Sequence, residues 1–126
     1  MLSEKMEKLL NDQVQKEFYS AYLYLSFEAY FASRNLDGFA HWFRIQAMEE
    51  RDHALIFINY INQVGGRVKL QAIEAPPAEF SSIEQVLQKQ LDHERLVTAS
   101  IYNIADQAIA ERDHKTSSFI KWFIDE

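Results

Sequence analysis

Three glycines and two prolines are all the conformational punctuation in 126 residues. A sheet of many strands needs a turn at every reversal, and turns draw on such residues, so a few long helices are favoured instead. Helical periodicity runs through nearly the whole chain. A first segment spans about Ser3 to Ser33, with Ser3 as N-cap and Leu10, Val14, Glu17, Ala21, Tyr24 and Phe31 on one stripe. A second starts near Asn35 or Asp37 and stops at Gly65-Gly66. Its stripe reads Phe39, Phe43, Gln46, Glu50, His53, Phe57, Tyr60 and Val64. A connection of about 15 residues containing Pro76-Pro77 follows. Ser81 and Glu84, spaced as a capping box, open a third helix along Ile83, Leu87, Gln90, Glu94, Val97, Ile101, Ile104 and Ala108. After a break around Asp113 to Lys115, a last segment runs from Thr116 to Glu126 with Phe119, Ile120 and Phe123 on one side.

Three segments of about thirty residues are roughly 45 Å long, and the last, of about eleven, roughly 17 Å. Tight turns after the first and third make antiparallel neighbours, and the long connection after the second can run back along the bundle. The expectation is one all-α domain over residues 1–126. It is a four-helix bundle with a long crossover between helices 2 and 3 and an incomplete fourth helix.

Composition narrows the class. The chain is 48% hydrophobic and 25% charged, ordinary for a globular domain and unlike a disordered one. It has no cysteine, which excludes disulfides and zinc–thiolate sites. The opening MLSEKMEKLLND is neither a signal peptide nor a membrane span, so the cytoplasm is the expected location. A formal net charge of -6 repels nucleic acid and draws cations.

Polar residues on apolar stripes carry the functional signal. Glu17, Glu50, His53 and Glu94 each stand where the periodicity calls for a core side chain. Buried carboxylates are costly when isolated and repel one another when gathered, and no Lys or Arg on those stripes offsets them. Glu17, Glu50 and Glu94 all lie near mid-helix, so in an up-and-down bundle they meet at one level. Glu50 and His53 share a face about one turn apart. Three carboxylates and one imidazole suit iron or manganese better than a closed zinc site. The bland alternative for any one Glu is a helix-edge residue reaching solvent; the joint level of all three argues against it. A second Glu-x-x-His, Glu111 to His114, lies roughly 25 Å further along the third helix and reads as its solvated end.

At these residues the chain resembles the bacterial non-haem ferritins, in the stretches QKEFYSAYLYLSFEAYF, HWFRIQAMEERDHA and FIKWFIDE. The resemblance covers essentially the whole chain. It implies a ferritin-like bundle with a dinuclear ferroxidase centre: Glu17, Glu50 and His53 at one iron, Glu50 bridging, and Glu94 at the second. Glu49 and Glu126 match family positions for a third iron site, and Tyr24 matches the tyrosine beside the centre that supplies an electron. The implied function is storage and detoxification of iron: ferrous ions are oxidised by oxygen or hydrogen peroxide, and the mineral is kept in a homo-oligomeric shell of twenty-four subunits. Subunit pairs would form along the first two helices. No haem, nucleic acid or membrane partner is expected, and Arg51 stands where the haem-binding relatives carry a Met after the bridging Glu.

The sequence departs from the family in ending at Glu126, before further iron ligands and most of helix four. That leads to the expectation of a chain truncated within the fourth helix, with half a groove uncovered. The competing reading is a truncated ferritin that folds or assembles without turnover. A cytokine-like signalling bundle shares the crossover style, but it gives no account of the inward acids.

Overall fold

The computed structural model describes residues 1–126. It contains four helices and no strands: α1 (Glu4–Ser33), α2 (Asp37–Gln63), α3 (Ile83–Glu111) and α4 (His114–Asp125). Ser3 caps α1 by accepting from the Met6 amide at 3.0 Å, and Glu4 and Glu7 add favourable charge in the first turn. Each of the first three helices ends in a left-handed residue: Asn35 (φ 59), Gly65 (φ 80) and Arg112 (φ 57). At each, a backbone amide reaches back to a carbonyl in the last turn, Leu36 to Phe31, Gly66 to Ile61 and Asp113 to Ala108. This is the Schellman closure that satisfies otherwise unpaired carbonyls.

Several boundaries differ from the sequence-based expectation. The cap of α3 is Ser82, which accepts from Gln85 N at 3.1 Å, while the Gln85 side chain turns back to accept from Ser81 N. The cap is thus built from Ser82, Gln85 and the Ser81 amide instead of a box between Ser81 and Glu84. α4 begins at His114 because Asp113 caps it through Thr116 N. Phe39 and Leu87, placed on the inward stripes, are exposed, and Ala40 and Val86 take the core positions.

α1 and α2 pair along the greatest length, α3 packs on α4, and α1 meets α3 over a thinner interface. Residues 64–82 run between α2 and α3 without helix. This crossover is tied to α1: Asn11 donates to Arg67 O and accepts from Lys69 N, and Glu7 accepts from Arg67 N. Gly66 packs closely there: a Cβ would meet Leu2 Cδ1 at 2.9 Å and Ile61 Cγ2 at 3.0 Å, so those side chains would have to shift.

The interior divides in two. One core gathers Met6, Leu10 and Val14 with Phe57, Ile61, Ile104 and Ile120, drawing on all four helices. The other is aromatic, built from Tyr24, Phe27, Phe31 and Phe43 with Phe80 of the crossover. Ring pairs such as Phe27–Phe43 (5.2 Å, edge-on) and Phe31–Phe43 (5.6 Å, stacked) hold it. Between these cores lies a polar seam.

Candidate metal centre

The seam is occupied by Glu17 of α1 and by Glu50 and His53 of α2. One ligand atom from each of these three lies within 4.8 Å of the others, the only such grouping of acidic and imidazole side chains in the chain. Helical spacing accounts for it. Glu17 follows Val14 on the buried stripe of α1, and Glu50 and His53 lie between Ala47 and Phe57 on that of α2. His53 Nδ1 is 3.3 Å from Glu50 Oε2, and its Nε2 is 3.1 Å from Glu126 Oε1. Trp122 and Phe123 of α4 meet the imidazole edge-on at 5.9 and 5.6 Å.

Glu17 is 1% exposed. Its Oε1 accepts from Gln13 Nε2 at 3.2 Å, whereas Oε2 is the one buried side-chain polar atom in the protein without a partner. Burial and then the facing Glu50 carboxylate push the Glu17 carboxyl up to about 9. Burial also acts to raise Glu50, but His53 and the proton held by Glu17 outweigh it and leave Glu50 below its ordinary value. For His53 the desolvation, which favours the neutral ring, is overcome by Glu50, Glu17 and Glu126, and the imidazole rises to about 9. Both raised values mean that Glu17 and His53 favour their protonated forms at neutral pH. A buried oxygen without a partner, facing a carboxylate and an imidazole, is a donor set that a divalent cation would satisfy.

A cavity of about 400 Å³ opens from this cluster. Glu94 of α3 and Glu126 line it with Glu17, Glu50 and His53. Glu94 stands on the rim: it is exposed, outside the tight trio, and accepts from Gln90 Nε2 at 3.2 Å. The expected convergence of three carboxylates in one core is thus two carboxylates and an imidazole inside, with the third carboxylate at the mouth. Glu49 is exposed and does not line the cavity. Tyr24 is 1% exposed, and its phenol is held protonated by burial and by the charges of Glu50, Glu94 and Glu17. Glu111 accepts from Gln107 and His114 opens α4, so the second Glu-x-x-His straddles a helix break and gathers no further ligand.

Two residues beside the site were not singled out from the sequence. Gln13 precedes Glu17 by four residues as Gln90 precedes Glu94, and each amide supports its carboxylate at 3.2 Å. That repeated spacing was the available signal. His93 binds Ser20 Oγ at 2.7 Å across α1 and α3; its neighbour Glu94 drew the attention instead.

Comparison with known proteins gives the chain a family. Residues 7–126 match the Ferritin family, described as a ferritin-like domain. A bacterial non-heme ferritin of Staphylococcus aureus is 39% identical over 126 residues, covering 100% of this chain and 76% of the relative. A probable bacterial non-heme ferritin-like protein of Haemophilus influenzae is 36% identical over the same span. An open pore ferritin from the hyperthermophilic archaeon Archaeoglobus fulgidus superposes with a TM-score of 0.98 at 42% identity, covering 99% of this chain and 77% of that one. A humanized archaeal ferritin superposes with a TM-score of 0.98 at 39% identity, over 99% and 76%. With the family match over residues 7–126 and relatives of this identity and coverage, the chain belongs to the ferritin family.

Proposed function

We propose that the protein takes up ferrous iron, oxidises it at a dinuclear carboxylate centre and stores the ferric product in a shell of its own copies. The observation that carries this reading is the buried Glu17 carboxyl, with no donor on Oε2, gathered with Glu50 and His53 so that one ligand atom of each lies within 4.8 Å of the others. Glu17, Glu50 and His53 would bind the first iron, with Glu50 reaching toward a second held by Glu94. Glu126, on the same cavity, and Glu49, near it on α2, would serve a third. Two ferrous ions each give up one electron, which is the pair that reduces one hydrogen peroxide with two protons to two waters; oxygen is the alternative acceptor. Protons displaced from Glu17 and His53 as iron enters are released beside that chemistry. Tyr24, buried and protonated in the aromatic core, would supply a further electron. Carboxylate-rich ligation with a single imidazole favours release of ferric iron toward storage over its retention as a fixed group.

An apolar groove on the outer face of α1 and α2, lined by Phe18, Tyr22, Leu25, Met48 and Ile73, supports pairing of subunits there. No helix is long and apolar enough to cross a membrane, in keeping with the proposed cytoplasmic setting.

Stopped-flow absorbance after mixing with ferrous iron and oxidant tests the reading. A rapid ferric signal that saturates at two irons per chain is expected, and Glu50→Ala should abolish it by removing the bridge. No rapid phase in the native chain would reject catalysis, and a rapid phase surviving in Glu50→Ala would put the centre elsewhere.

A further inference from the structure

Between Gln90 and Ile101 no residue of α3 is fully buried, although this stretch carries Glu94 to the rim of the cavity. Val86, Gln90, Ile101, Ile104 and Ala108 form one buried stripe that anchors α3 on either side of this stretch, while Leu91 and Leu96 within it are exposed, so burial holds the middle of the helix least. One hydrogen bond joins α1 to α3, the 2.7 Å contact between Ser20 Oγ and His93 Nε2. Ser20 is 1% exposed, and its hydroxyl also bonds Lys16 O at 2.8 Å. A hydroxyl has a single proton; with that proton given to the carbonyl, the imidazole Nε2–H donates to Ser20. The ring is half-buried between Tyr19 (centroids 5.8 Å apart) and Tyr24 (6.1 Å, edge-on).

We propose that His93 is the positioning residue that locks α3 to α1 beside the carboxylate cluster and so holds Glu94 in place for the second metal ion. This rests on the reading of Glu94 given above. Without that bond the unburied middle of α3 can draw away from α1 and carry Glu94 off the cavity, while Glu17, Glu50 and His53 stay untouched. His93 therefore governs one half of the centre and not the other. Its imidazole is not itself free to ligate through Nε2, which is committed to Ser20.

Titration with Co²⁺, followed by its visible absorption, separates the two halves without turnover. The native chain should fill the two sites of the dinuclear centre first. His93→Ala should leave the first affinity unchanged and weaken the second by about tenfold or more, the scale on which residues supporting a ligand act. Ser20→Ala, which keeps the ring and removes its partner, should move the second affinity in the same direction. This variant carries the test if His93→Ala does not fold. His93→Gln, whose amide can donate to Ser20, should restore most of the loss. Equal weakening of both sites, or an unchanged second site in both alanine variants, would overturn the proposal. Glu94→Ala in the same titration distinguishes the layers: a second ion retained there overturns the Glu94 reading itself. A second ion lost there but kept in His93→Ala overturns only the role of His93.

Discussion

At the scale of single residues the centre is a problem of protons. Glu17 has an ordinary value of 4.5 and His53 of 6.5, and the fold raises both to about 9. Between pH 6.5 and 9 the folded chain thus keeps protons that the unfolded chain has released. Stability contributed by His53 is fully present below pH 6.5 and that from Glu17 below pH 4.5, and both decline as pH rises to about 9. The metal-free protein should therefore melt at a lower temperature at pH 9 than at pH 6.5. Divalent metal binds only as these protons leave, so a saturating metal ion should flatten or reverse that slope and release roughly two protons per chain near neutral pH. Calorimetric melts with and without Co²⁺, and metal addition to an unbuffered solution, measure the two effects. A melting temperature that rises from pH 6.5 to 9 without metal would contradict the assigned protonation. Glu17, Glu50 and His53 were legible in the sequence because a charged side chain on an apolar stripe is conspicuous. Gln13 and His93 were not, because a polar residue one position off a stripe looks like any solvated residue until the facing helix is known.

At the scale of elements, the helix ends decide how the bundle closes. Gly65 announces its left-handed stop, and Asn35 is a residue type that tolerates one. Arg112 is neither, so the turn before α4 was legible only as a break and not at its true residue. What fixes that turn is a buried relay: Tyr60 donates to Thr116 Oγ1 at 2.8 Å, and Thr116 donates to Asp113 Oδ2 at 2.7 Å. Thr116 is 0% exposed, and Phe119 one turn on stacks over Tyr60 at 3.9 Å. Thr116→Val strands the Tyr60 hydroxyl and should cost about 1–3 kcal/mol. Tyr60→Phe keeps the ring stack and the Thr116–Asp113 bond, and should cost only about 1 kcal/mol. Urea melts give the order; a larger loss for Tyr60→Phe would mean that the relay does not hold α4. The exchange of Leu87 for Val86 in the core has a related cause. Leu87 and Leu91 form an exposed apolar face beside the buried one that runs through Val86, so the periodicity of α3 admits more than one inward face.

At the scale of the molecule, two apolar cores enclose a polar seam, and the seam is where the acids are. The four helices, their order and the crossover followed from periodicity and from the scarcity of turn residues, because long helices leave a strong signal. The depth of each acid did not. Glu94 shares its level with Glu17 and Glu50, yet stands at the mouth, since level along an axis says nothing of rotation about it. The central claim is that iron is held between Glu17, Glu50 and His53. Diffraction at the iron absorption edge, from crystals soaked anaerobically in ferrous iron, tests it directly. The account predicts an anomalous peak ligated by Glu17, Glu50 and His53, with a second between Glu50 and Glu94. Iron bound elsewhere on the chain, with none between those three side chains, would contradict it.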